Sequence, residues 1–321
     1  HLKEDKLWAE KGHEIAFEQF ILKYKTLQLG TNETTGKVTL KETDRELQVS
    51  GNDYTITFNK NDGTLDSYTC HGEELLTAPI IPNFWRATTD NDRGNQLNIR
   101  SLVWKKASGE RQLASFQFEE QEGHVNVLVE YKFPSLPETR CSIRYTINAK
   151  GTVDVHYRLL PGPHLPEIPE IGLMFAMPQE FENIEWYGKG PHENYIDRNK
   201  GAKIGLYEGK VIEQYTPYLK PQECGNKIGV RWAKVYRHDG LGLKIVGEPT
   251  FEFNALPYTP GELEESSHSY KLPKINKTVV RVNYKQMGVG GDDSWGQKTH
   301  PEFTIYPDQV YQYSITIYPI R

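Results

Sequence analysis

The chain has 321 residues, of which 25% are charged and 12% aromatic, with 19 tyrosines and a formal net charge of -5. That length accommodates either one large all-β unit or two domains. The mild acidity offers no basic stripe to neutralise phosphates, which argues against nucleic acid, and no apolar run approaches the ~20 residues of a membrane-spanning helix.

Taken in chain order, His1 to Lys6 lacks the layout of a signal peptide. An export signal, and with it the choice between cytoplasm and periplasm, would lie upstream. Residues 1–40 carry one strand-like run, Glu14 to Leu22, and then the polar stretch Gly30 to Gly36. A lone strand cannot bury its own face, so 1–40 reads as the terminal strand of a preceding domain plus a linker, and 41–321 as the second domain. Tyr54 to Phe58, the turn Asn61-Asp62-Gly63, and Leu65 to Tyr68 form a hairpin, because Asp-Gly supplies the positive φ angles of a tight reversal. Phe84 to Trp104 reads as a long polar loop followed by a short helical turn.

Period-2 alternation then recurs in Val125 to Phe133, Cys141 to Asn148, Thr152 to Leu159, Gly172 to Met177, Gly229 to Tyr236, Leu241 to Val246, Thr278 to Tyr284 and Tyr311 to Tyr318. The fold class is all-β. So many strands predict two stacked antiparallel sheets, with alternating residues such as Val153, Val155 and Tyr157 filling the layer between them. The cysteines, Cys70, Cys141 and Cys224, are too widely spaced for a zinc pattern or a disulfide framework and read as ordinary thiols.

Several chemistries fail on inspection. Asp90-Asn91-Asp92-Arg93-Gly94 departs from a calcium loop, with Gly94 at position five and Asn95 where glycine belongs. Asp90 and Asn91 read either as backbone-bonding turn residues or as a ligand-facing pair. No His-x-x-x-His pair occurs. The glycines of Gly288-Val289-Gly290-Gly291 precede Asp292 and Asp293, which would repel a phosphate. Glycosidic hydrolysis needs two carboxyl groups ~5 to 9.5 Å apart, and Glu193, Glu223, Asp292 and Asp293 all sit in turn-rich settings. The other reading of Glu193 and Glu223 is that they accept bonds from loop amides or pair with an arginine such as Arg198 or Arg231. Gly290-Gly291-Asp292-Asp293-Ser294-Trp295 delivers one large ring within a polar loop. Such a ring either plugs a core or stacks on the apolar face of a pyranose.

Four stretches carry a more specific likeness: Pro82 to Gly94 (Pro-Asn-Phe-Trp-Arg-Ala-Thr-Thr-Asp-Asn-Asp-Arg-Gly), Gly188 to Arg198, Pro221 to Asn226 with Val230-Arg231-Trp232, and Met287 to Trp295. In this order they resemble the C-terminal domain of the large β-galactosidases of glycoside hydrolase family two, over residue 45 to the end. Trp8 to Ala16 is similar to the last strand of the immunoglobulin-like domain that precedes it.

The resemblance implies a broad two-layer β-sandwich, a galactose mutarotase-like supersandwich, placed last in a longer enzyme that hydrolyses terminal β-D-galactosides with retention. It implies that the catalytic glutamates, and the Mg or Na that the parent family often uses, belong to a barrel domain with no counterpart here. No catalytic residue, cofactor or metal is therefore expected in this chain. Trp295 is implied as the sugar-stacking residue, with Asp90, Asn91, Asp92 and Gly94 in a loop near the site. The implied partners are a β-galactoside, the upstream domains of the same enzyme and further copies of it in a homo-oligomer. Two alternatives share the fold: a free-standing aldose 1-epimerase, using His192 or His300 with Glu193 or Glu223, and a carbohydrate-binding module.

Overall fold

The structure is a computed structural model that describes residues 1–20, 36–293 and 295–321. The chain divides into two compact units, His1–Glu33 and Thr34–Arg321. In the first, the amide of Leu2 donates to the His13 carbonyl at 2.8 Å and a lone bridge joins Lys6 to Ala9. The strand expected over Glu14 to Leu22 is not formed across residues 14–20, and residues 21–22 lie outside the described residues. A strand exists only through pairing, and residues 1–20 contain no second strand to pair with.

The second unit contains 17 strands among its described residues, all paired antiparallel. They are β1 (Thr39–Glu42), β2 (Glu46–Ser50), β3 (Tyr54–Asn59), β4 (Leu65–Cys70), β5 (Glu73–Glu74), β6 (Ala78–Asn83), β7 (Gln112–Gln121), β8 (His124–Phe133) and β9 (Leu136–Asn148). There follow β10 (Val153–Leu160), β11 (Glu170–Pro178), β12 (Asn183–Gly190), β13 (Lys203–Lys210), β14 (Lys227–Tyr236), β15 (Gly242–Leu256), β16 (Lys277–Gln286) and β17 (Tyr311–Ile320). The sheet begins at Thr39, inside the stretch expected to be linker, and Val38 already packs into the core.

One layer runs β7-β8-β9-β10-β17 and continues through the first half of β15 to β14, β12 and β13. The other runs β1-β2-β3-β4-β6-β11-β16 and ends on the second half of β15. β15 therefore belongs to both layers. Its residues Gly242 to Glu248 pair with β17, and Glu252 to Leu256 pair with β16.

Alternation along strands such as β8 and β10 fills the interior, as the sequence predicts. Val153, Val155, Tyr157 and Leu159 are buried while their neighbours on β10 are exposed. Across the layers Phe58 meets Tyr145 edge-on at 5.2 Å, and the hydroxyl of Tyr313 donates to the Val282 carbonyl at 2.7 Å. Gly63 takes φ 72° in the hairpin turn and lies too close to Val129 and Leu113 for any side chain.

The middle of the second layer is buried on both faces. Ile171, Leu173 and Phe175 of β11, Val280 and Val282 of β16, and Phe251 and Phe253 of β15 face the core. Their alternates, Glu170, Arg281, Asn283, Glu252 and Asn254, are equally buried. Loops cover that polar face, and the candidate site lies where they meet.

Candidate functional site

The segment Phe84 to Thr89 is buried rather than an open polar loop, and three short helices follow it: α1 (Asp90–Gly94), α2 (Leu97–Arg100) and α3 (Leu102–Glu110). Helix α1 starts at Thr89 because a capping box holds it there. The Thr89 hydroxyl accepts from the Asp92 amide, and the Asp92 carboxylate accepts from the Thr89 amide, each at 3.0 Å. Asp92 also pairs with the fully buried Arg86 at 3.2 Å, and Arg86 donates to the carbonyls of Met287 and Gly288. Asp92 is 1% exposed and shapes the loop from inside.

Further bonds lace distant loops together. Asp90 and Gln222 clasp each other twice, the Asp90 amide donating to Oε1 of Gln222 and Nε2 of Gln222 to the Asp90 carboxylate, both at 2.9 Å. The Gln222 bond leads the causes that hold the Asp90 carboxyl below its ordinary range. Asn91 donates to the Val289 carbonyl at 3.2 Å, and Asp197 accepts from the amides of Val289 and Gly290 at 2.8 and 2.9 Å.

Around this lacework lies a cleft of about 730 Å³, lined by Asp90, Asn91, Asp197, Gln222, Asp292 and Trp295 among others. Each of the four sequence stretches singled out above contributes to its wall. Trp295 is 83% exposed at the rim, so its ring is not a core plug. Its backbone is fixed from two sides. Oδ1 of Asp293 accepts from the amides of Trp295, Gly296 and Gln297 at 2.9, 3.0 and 3.1 Å, and these bonds lower the Asp293 pKa. Gly94 packs against the Trp295 carbonyl without room for a side chain.

The remaining carboxylates are committed to other partners. Glu193 accepts from Arg198 and the Tyr218 hydroxyl, each at 2.6 Å, and from the Gly225 amide at 2.8 Å, which matches the pairing reading. Glu223 pairs with Arg281 at 2.7 Å, not with Arg231. The same guanidinium holds Glu170 at 2.5 Å; burial raises the Glu170 pKa and Arg281 opposes the rise. Glu252, bonded to Asn226 and the Gln286 amide at 3.0 Å each, is pushed up to about 8 by burial. His300 sits at the rim bonded to Asp292 at 2.7 Å, which raises its pKa, and it bonds to neither Glu193 nor Glu223.

Among the described residues no three His, Cys, Asp or Glu side chains converge as a metal cage. The three thiols are buried and unpaired with one another, and burial pushes Cys141 and Cys224 up to about 12. Tyr218, Gln222 and Asp197 were not singled out from sequence as lining residues. Gln222 and Asp197 fall within two of the four stretches, which was the available signal.

Residues 50–317 match the family described as β-galactosidase small chain. The chain is 45% identical over 319 residues to the β-galactosidase of Priestia megaterium, covering 99% of this chain and 31% of that protein. It is 33% identical over 294 residues to the β-galactosidase small subunit of Latilactobacillus sakei, covering 82% of this chain and 92% of that protein. Among solved structures, a GalM/aldose epimerase homologue from C. elegans aligns with a TM-score of 0.48 at 9% identity, over 88% of this chain and 98% of that one. The chain spans about a third of the length of β-galactosidases it matches, 31% and 32% for the P. megaterium and Halalkalibacterium halodurans proteins. It belongs to the β-galactosidase small chain family and corresponds to a C-terminal part of the longer enzymes.

Proposed function

We propose that this chain forms one wall of the active-site mouth of a β-galactosidase and contributes Trp295 as a stacking platform for the sugar. In this reading the acid and the nucleophile that hydrolyse a terminal β-D-galactoside with retention are supplied by the remainder of the enzyme, and the chain alone is inactive. Homo-oligomerisation belongs to the full-length enzyme.

The observation that carries the reading is the exposed indole of Trp295 on a backbone pinned by Asp293 and Gly94. An exposed ring costs solubility and adds nothing to the core, so fixing its backbone makes sense for a surface that meets a ligand. A pyranose has an apolar C–H face for the indole and hydroxyls for acceptors such as Asp90 and Asn91 along the same cleft. The platform orients the sugar and excludes water; it makes and breaks no bonds. The arginine partners of Glu193 and Glu223 support the view that neither acts as acid or base here.

The test is Trp295→Ala in the full-length enzyme. Loss of one aromatic stacking contact is worth ~1 to 3 kcal/mol, so KM for galactosides is expected to rise about five- to a hundredfold with the melting temperature unchanged. Unaltered kinetics would refute the assignment. Hydrolysis of a galactoside by the chain alone would refute the non-catalytic role.

A further inference from the structure

A second ring stands at the mouth of the same cleft. His300 and Asp292 both line it, with side chains 49% and 79% exposed. Nε2 of His300 is 2.7 Å from Oδ1 of Asp292, and the imidazole lies at 26° to the ring of Phe303, centroids 6.5 Å apart. An exposed ion pair of this kind adds little to stability. Yet it holds a five-membered ring in one orientation in the cleft that Trp295 also lines.

The bond also fixes which nitrogen is left over. A carboxylate only accepts, so Nε2 carries the proton that Asp292 receives, and Nδ1 remains. Its nearest charged neighbour, Glu302, is 3.8 Å away, beyond hydrogen-bond reach. Nδ1 accepts when the ring is neutral and donates when it is an imidazolium. A sugar hydroxyl, being both donor and acceptor, satisfies either state. At about 730 Å³ the cleft lies in the upper part of the range for small-molecule sites, and one hexose stacked on Trp295 leaves part of it unfilled.

We propose that His300, oriented by Asp292, is a specificity residue whose Nδ1 meets a hydroxyl of the leaving group, so that the cleft favours galactosides whose aglycone is itself a sugar. Asp292 acts through His300 and is a positioning residue. The inference rests on the reading of Trp295 given above.

The experiment compares lactose with o-nitrophenyl β-galactoside, whose aglycone has no hydroxyl to offer, in the full-length enzyme. One neutral hydrogen bond corresponds to about a three- to tenfold change. His300→Ala should raise KM for lactose by that factor and leave kcat/KM for the nitrophenyl substrate within about twofold. His300→Asn, which keeps a polar group there, should recover part of the loss. Asp292→Ala should give a smaller loss with the same selectivity, and should add nothing to His300→Ala. An equal loss on both substrates, or no loss on lactose, overturns the proposal. Trp295→Ala, measured alongside, separates the two readings. If it weakens both substrates while His300→Ala is silent, only the role of His300 falls; if it is silent on both, the reading of Trp295 fails and the inference built on it falls too.

Discussion

Gly94 and Trp295, 201 positions apart in sequence, touch through their backbones: a Cβ added at Gly94 would overlap the carbonyl oxygen of Trp295. The glycine is needed for this close approach and for no special φ angle. Gly94→Ala must push the two loops apart, and a methyl forced into a packed contact costs about 1 to 3 kcal/mol. The expected result in the full-length enzyme is a rise in KM for galactosides in the same direction as Trp295→Ala, with a change in tryptophan fluorescence. Wild-type kinetics would mean that the contact does not position the indole.

Asp293 fixes the other side of that loop through three backbone amides. Asp293→Ala leaves these donors to water and frees the Trp295 backbone, whereas Asp293→Asn retains an acceptor oxygen. Each such bond is worth about 1 kcal/mol. Alanine should therefore raise KM several-fold and asparagine less, with both proteins keeping their melting temperature because the loop is exposed. Equal effects of the two substitutions would show that the side-chain oxygen is not what holds the loop.

Arg86 and Asp92 are the fully buried pair behind the site, and Arg86 also binds the backbone at Met287 and Gly288. Removing one member of a buried pair strands the other charge, at a cost of about 3 to 5 kcal/mol. Arg86→Met should lower the urea midpoint by a corresponding amount. It should also weaken galactoside binding, since the loop after Met287 leads to Trp295. An unchanged midpoint would remove Arg86 from the scaffold.

Glu252 gives a pH prediction. Its folded pKa, raised to about 8 by burial, exceeds the value of 4.5 for an unperturbed glutamate. The folded state therefore holds the proton more tightly, and stability falls as pH rises from about 4.5 to about 8 and levels off above. Glu252→Gln keeps an acceptor for Asn226 and the Gln286 amide without the ionisation. Melting temperatures at pH 5 and pH 8 should differ less in this variant than in the wild type, by at least about 2 °C. An identical pH dependence would mean that Glu252 does not titrate in that window.

Among the strands readable from sequence, β8 and β10 keep one face in the core, with buried and exposed residues alternating cleanly, whereas β11 and β16 are buried on both faces and read as short apolar runs. β7 was missed because most of its residues are exposed or polar, and β12 and β13 because glycines interrupt their patterns. Pairing with neighbours, not local pattern, makes these segments strands. The helices after Phe84 were largely missed as well, since nothing local indicates that Phe84 to Thr89 is buried by loops from elsewhere in the chain.

At the site, the loop of Trp295 by itself left open whether the ring plugs a core or stands at the surface, and its exposure removes the first reading. The inward role of Asp92 was not legible, because its partner Arg86 is anchored on carbonyls about 200 positions away. Glu223 likewise finds Arg281 through the position of that residue on β16, which no local spacing encodes.

β15 has a mechanical consequence. One continuous backbone is stitched into both layers, so neither can peel away while the other survives, and the unit should melt in a single transition. The loop bearing Trp295 thus depends on the whole unit for its support, and damage far from the cleft would reach the indole by unravelling everything at once.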